Sequence, residues 1–105
     1  MGLNIKNIES REIFPGFHGK LIHTQQMSLA YWDVEAGSEV PEHSHVHEQL
    51  MQVLEGRFQF TLNGVSAECE AGDVIVIPPH AKHSGKALTD CKIMDIFSPV
   101  REDYR

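Results

Sequence analysis

The sequence contains no run of about twenty apolar residues, so no segment of it can cross a bilayer as a helix. It has no C-x-x-C spacing either: Cys69 and Cys91 stand far apart. Met1-Gly2-Leu3-Asn4-Ile5-Lys6 offers no apolar leader, and Lys6 stands where a myristoylation signal requires Ser or Thr. Two free thiols in a reducing cytoplasm are therefore expected. Positive charge is scarce. Nine Lys and Arg against fifteen Asp and Glu leave a net charge of -6, and no stretch interleaves basic residues with aromatics. That balance argues against nucleic acid as a partner, and an acidic ligand would need positive charge supplied locally by a bound cation or a buried Arg. Linkers, low-complexity tracts and internal repeats are also missing. The 105 residues, 41% hydrophobic and 23% charged, read as one domain over residues 1–105. Residues 1 to about 12 form an N-terminal arm, either packed on a partner subunit or loose.

Apolar spacing of helical period is hard to find, whereas short strand patterns bounded by Gly, Pro, Asn or Asp recur throughout. Residues 20–24 and 27–34 read as the first strands, with Glu35-Ala36-Gly37-Ser38 as the turn that ends them. Residues 49–54 form an apolar strand closed by Glu55-Gly56. From Arg57 to Leu62 the residues alternate, placing Phe58, Phe60 and Leu62 on one face. Asn63-Gly64 follows as a type I′ hairpin turn, in which both central residues need positive φ. Val74 to Ile77 is a further strand stopped by Pro78-Pro79, and the last runs from about Cys91 to Phe97. Many short antiparallel strands in a chain of this size predict an all-β barrel or jelly roll, which hides most strand edges.

Seven histidines are present, and His43, His45 and His47 fall within five residues. On an extended strand His43 and His45 face the same way, so their imidazoles can converge on one ion. Gln49 keeps the same parity and faces the same interior after a bend at 46–48, and His83 follows the Pro78-Pro79 turn. Three or four such groups on rigid neighbouring strands suit a divalent metal. The predicted ligands are His43, His45, Gln49 and His83. His47 and Glu48 lie beside them, as partners that orient the imidazoles or as an exposed turn. His18, His23 and His80 have no partner visible in sequence and read as surface residues. Met27, Tyr31 and Trp32 read as core or subunit interface, and Met51, of the same parity as Gln49, as pocket lining.

The spacing Gly37-x5-His43-x-His45-x3-Gln49-x6-Gly56 resembles the first motif of the cupin family, and Gly72-x5-Pro78 followed by His83 resembles the second. The resemblance implies a double-stranded β-helix, or jelly-roll, barrel holding one divalent transition metal ion, Ni, Zn, Fe or Mn. This chain departs from the motifs in three places: Gln49 stands where Glu is usual, His80 where Gly is, and Ala87 where Asn is. Only the first touches the metal. A neutral amide leaves the ion's double charge uncompensated, which makes a stronger Lewis acid that attracts anions.

Two longer strings, Pro41–Gln49 and Asp95–Tyr104, resemble a narrower group, the KdgF-type cupins of pectin and alginate breakdown. That resemblance implies a metal-dependent enzyme opening the ring of 4,5-unsaturated uronate monosaccharides to linear keto-acids, with Asp95, Phe97 and Arg101 as its catalytic set and a small acidic sugar as substrate. It also implies a homodimer, with which apolar outer positions at Met94 and Ile96 are compatible. The residues agree in part. Ile93, Asp95 and Phe97 share one strand face; if that face is interior, Asp95 is a desolvated carboxylate of raised pKa suited to acid/base work, and if exterior, an ordinary solvated residue. Two alternatives stand beside this reading: another metal-dependent cupin enzyme, such as a dioxygenase or cyclase, and a non-catalytic sugar-binding module.

Overall fold

The computed structural model describes all 105 residues. Ten strands follow one another: β1 (Arg11–Phe14), β2 (Phe17–His23), β3 (Ser28–Val34), β4 (Glu39–His43), β5 (Glu48–Glu55), β6 (Arg57–Leu62), β7 (Val65–Glu70), β8 (Val74–Ile77), β9 (His83–Ala87) and β10 (Cys91–Ser98). Single 3₁₀ turns at Ile5–Asn7 and Glu102–Tyr104 flank them. The strands build two antiparallel sheets, one of six in the order β1-β2-β3-β10-β5-β8 and one of four in the order β4-β9-β6-β7. Together they form the all-β jelly-roll barrel expected from the sequence.

Alternation decides which side chains fill the barrel. Along β10 the inward residues Cys91, Ile93, Asp95 and Phe97 are buried, while Lys92 and Ser98 are exposed. Along β6 Phe58 and Phe60 point inward, opposite Ala87 and Gly85 of β9. Between the sheets, Phe17, Trp32, Val53, Phe58, Phe60 and Ile77 belong to one continuous core. Cys69 and Cys91 are buried and not bonded to each other. Asn63 (φ 48°) and Gly64 (φ 81°) make the β6–β7 hairpin with both residues left-handed, as a type I′ turn requires.

Three expectations need correction. The chain enters the sheet earlier than the strand pattern suggested, because Arg11 and Glu12 of β1 already pair with Gly19 and His18 of β2. A four-residue strand whose register shifts between Glu12 and Phe14 leaves too little alternation to read, so the arm ends before residue 11. β2 starts at Phe17, ahead of the strand read from residue 20, because Pro15-Gly16 makes a tight turn (Gly16 φ 80°) that brings the chain straight into the sheet. His43 and His45 do not share a strand: β4 ends at His43, and His45 lies in the connection to β5. The six-stranded sheet carries on its outer side a row of Leu29, Ile96, Leu50 and Val76, of which Leu50 and Val76 are exposed.

Candidate metal centre and adjoining pocket

His43 at the end of β4 sits directly opposite His83 at the start of β9 in the sheet register. His45 follows two residues on, and its approach to the other rings is set by the connecting loop rather than by strand parity. The ring centroids of His43 and His83 are 4.2 Å apart and those of His45 and His83 4.9 Å. One nitrogen from each of the three lies within 4.8 Å of the other two.

Hydrogen bonds define which nitrogens those are. The Nδ1 of His43 donates to the Pro41 carbonyl at 2.8 Å, that of His45 to the His47 carbonyl at 3.0 Å, and that of His83 to the Ala81 carbonyl at 2.9 Å. Each proton is thereby fixed on Nδ1 by a backbone carbonyl two residues away, and each Nε2 is left with a bare lone pair. A backbone carbonyl in this role is a common way of orienting a metal-binding imidazole. His45 makes a further contact. Its Nε2 faces Gln49 Oε1 at 3.1 Å, so two acceptors meet head on. A proton is a poor bridge between them, because burial, then the charge of Arg101 and the neighbouring His83, lowers the pKa of His45 to about 4. Burial also lowers that of His83. Neutral imidazoles and an amide oxygen converging in this way fit one divalent metal ion, with His43, His45 and His83 as a nitrogen triad and Gln49 as a fourth, neutral donor. His47 contributes its carbonyl rather than its ring to this arrangement, and Glu48 is exposed.

The pocket beside the triad is walled by His43, Gln49, His83, Asp95, Phe97 and Arg101, with Met51 and Trp32 deeper in the barrel. All three residues singled out on the last strand and tail therefore line the pocket beside His43 and His83. Asp95 lies between Met51 of β5 and Ala30 of β3 in the sheet and is buried. Its Oδ2 accepts a 2.9 Å hydrogen bond from Trp32 Nε1, and its Oδ1 has no hydrogen-bond partner in the chain. Burial pushes its pKa up to about 6, against the pull of the Gln49 and Trp32 side chains and of Arg101. The interior alternative for Asp95 is the one found. Arg101 lies beyond β10, yet it is equally buried; burial alone would lower its pKa, and Asp103 and Tyr104 together raise it above the ordinary value. Phe97 faces inward beside it, 4.7 Å from the guanidinium carbon.

The remaining histidines have partners that the sequence did not show. His18 forms a surface ion pair with Glu35 at 2.9 Å. His23 Nδ1 meets the Ser28 hydroxyl at 2.8 Å, and that hydroxyl also accepts from the Arg101 backbone N–H at 2.8 Å. Only His80, exposed and at φ 66°, remains an ordinary turn residue. Tyr104 was missed altogether: its ring is buried 4.0 Å from the Arg101 guanidinium and walls the same pocket. Nothing in a polar tail of five residues marks it, beyond its being aromatic.

Comparison with known proteins agrees with this architecture. The model of the cupin domain matches residues 30–97, which take in both halves of the histidine cluster. The uncharacterized protein MJ1618 of Methanocaldococcus jannaschii is 36% identical over 67 residues, 63% of this chain, and the match spans 54% of that protein's length. An RmlC-like cupin from Shewanella frigidimarina superimposes with a TM-score of 0.91 at 30% identity, covering 95% of this chain and 91% of that one. KdgF from Halomonas sp. superimposes equally well, TM-score 0.91 at 29% identity, over 100% of both chains. With the barrel, the histidine triad and the family's own pattern all coinciding on the same residues, the chain belongs to the cupin family.

Proposed function

We propose that this cupin opens the ring of 4,5-unsaturated uronate monosaccharides, giving linear keto-acids. The observation that carries the proposal is the convergence, in one pocket, of a nearly dry carboxylate with a free oxygen, a buried guanidinium and two imidazoles of the triad, those of His43 and His83. The full-length likeness to KdgF supports it, since the residues matched to that group in sequence line this pocket.

A bound divalent ion would supply Lewis acidity and positive charge, held by His43, His45, His83 and Gln49. The chain's own residues do the rest. Arg101 pairs with the substrate carboxylate, and Phe97 walls the sugar ring. Asp95 takes the proton of the anomeric hydroxyl at its free Oδ1. The ring C–O bond then breaks, and its electrons move to the ring oxygen and the adjoining double bond as an enolate. The same carboxyl, now protonated and with a pKa of about 6, returns a proton to the enolate carbon, so one group serves as base and acid near neutrality. Fixed positive charge beside the site stabilises the enolate without reorganisation.

The test is loss of the ultraviolet absorbance of 4,5-unsaturated galacturonate with metal-loaded protein, read against the spontaneous rate. Acceleration that falls about 10²–10⁴-fold in Asp95→Asn with metal content unchanged is the expected result. Equal rates with and without the protein would remove the proposal.

A further inference from the structure

Arg101 is held more firmly than pairing with a substrate alone would require. Its backbone N–H donates to the fully buried Ser28 hydroxyl. Its guanidinium sits in the corner made by the rings of Phe97 and Tyr104, which stand at 86° to each other, with the central carbon 4.7 and 4.0 Å from their centroids. Two parallel hydrogen bonds, Nε to Asp103 Oδ1 at 3.0 Å and Nη2 to Asp103 Oδ2 at 2.8 Å, fasten one edge of the fork. Both of those bonds leave Nη1 aside, and Arg101 lines the pocket with its side chain only 7% exposed. Asp103, by contrast, sits on the outside, with its side chain 58% exposed. The tail is itself tied down, since Arg11 of β1 donates to the Tyr104 carbonyl. An exposed carboxylate is thereby joined through a bidentate pair to a guanidinium that lines the pocket.

We propose that Asp103 is a positioning residue: by occupying the Nε–Nη2 edge of Arg101 it presents the Nη1 edge to the carboxylate of an anionic ligand. The inference rests on the proposed reading of the pocket as a uronate site. A bidentate pair fixes both the position and the plane of a guanidinium, which a single contact does not. An exposed carboxylate could instead compete with the ligand for Arg101. The two roles predict opposite signs: losing a positioning group weakens ligand binding, whereas losing a competitor tightens it.

The experiment compares metal-loaded parent, Asp103→Asn, Asp103→Ala, Asp103→Glu, Arg101→Ala and the double variant Asp103→Ala/Arg101→Ala. Two readouts are taken: steady-state kinetics on 4,5-unsaturated galacturonate, and calorimetric binding of saturated galacturonate, which cannot react. Positioning predicts KM and Kd raised about tenfold in Asp103→Ala, kcat little changed, partial recovery in Asp103→Glu, and no loss in the double variant beyond that of Arg101→Ala. A merely structural role would lower the melting temperature without this split; Asp103→Asn, of the same shape, keeps the test open if the alanine variant folds poorly. Unchanged or tightened binding in the Asp103 variants, or parent protein that binds no galacturonate, overturns the inference. Binding that depends on Asp103 without turnover by the parent would sink the proposed reaction and leave the positioning role standing.

Discussion

At Asp95 folding and chemistry pull in opposite directions. Its ordinary pKa of 3.8 rises in the folded chain to about 6, chiefly by burial. A folded-state pKa above the unfolded one means that the native state binds the proton more tightly. Stability is then fully present below about 3.8 and falls as pH climbs through about 6, by about 3 kcal/mol for a shift of this size. Asp95→Asn keeps the shape and an acceptor for Trp32 Nε1 but carries no ionisable group. Metal-free Asp95→Asn is therefore expected to exceed the parent in stability by about 1–3 kcal/mol at pH 7.5, with the gap closing near pH 4. Urea unfolding at the two pH values reads this directly. A gap of the same size at both would show that ionisation of Asp95 costs the fold nothing. Which residues crowd Asp95 was only half legible in sequence. The alternation of Ile93, Asp95 and Phe97 tells that they share a face, but Trp32 lies 63 positions away and its bond to Oδ2 comes only from the pairing of β3 with β10. The same limit hid Tyr104 and the Asp103 clamp, whose partners are set by how the tail folds back and not by any local pattern.

Among the elements, strands with strong alternation and definite turns were the readable ones. β6 and its Asn63-Gly64 hairpin follow from period and turn chemistry alone, and β10 follows from its alternation. β1, β4, β7 and β9 were harder, because their short or polar runs carry little apolar period; they are strands by virtue of their neighbours. β9 shows how much a neighbour can dictate. His-Ser-Gly-Lys-Ala has no strand pattern, yet Gly85 lies opposite Phe60, and a Cβ built there would stand 2.4 Å from ring atoms of Phe58. The glycine is required by space, not by backbone angle. Gly85→Ala should therefore force the Phe58 ring out of place and destabilise the chain by about 1–3 kcal/mol. Phe58→Leu in the same background should recover part of that loss, because a smaller side chain makes room for the methyl group. Thermal unfolding of the two single variants and the double variant checks it; strictly additive losses would show that Phe58 is not the residue that excludes a side chain from position 85.

Across the whole molecule the four candidate ligands do more than line a pocket. His43 and His83 belong to the four-stranded sheet, Gln49 to the six-stranded one, and His45 to the connection that passes between them. An ion held by all four would join the two sheets, so its binding free energy would add to the stability of the folded state. The spacing of the motifs made these four residues legible, but not this consequence, which depends on which sheet each strand joins. At a free metal concentration 100 times Kd the gain is about 2.7 kcal/mol, and for a chain of this length that corresponds to a rise of about 10–20 °C in melting temperature. The unfolded chain complicates the expectation, since His43, His45 and His47 lie close enough in sequence to chelate a metal without any fold, and such binding subtracts from the gain. His83→Ala and Gln49→Ala separate the two contributions, because both leave the local histidine cluster intact and remove only the ligands that need the barrel. Nickel or zinc should thus raise the melting temperature of the parent strongly and that of His83→Ala much less, with Gln49→Ala between them. A shift of equal size in all three would mean that the ion is held by the 43–47 segment alone, and the barrel would then not be the metal site.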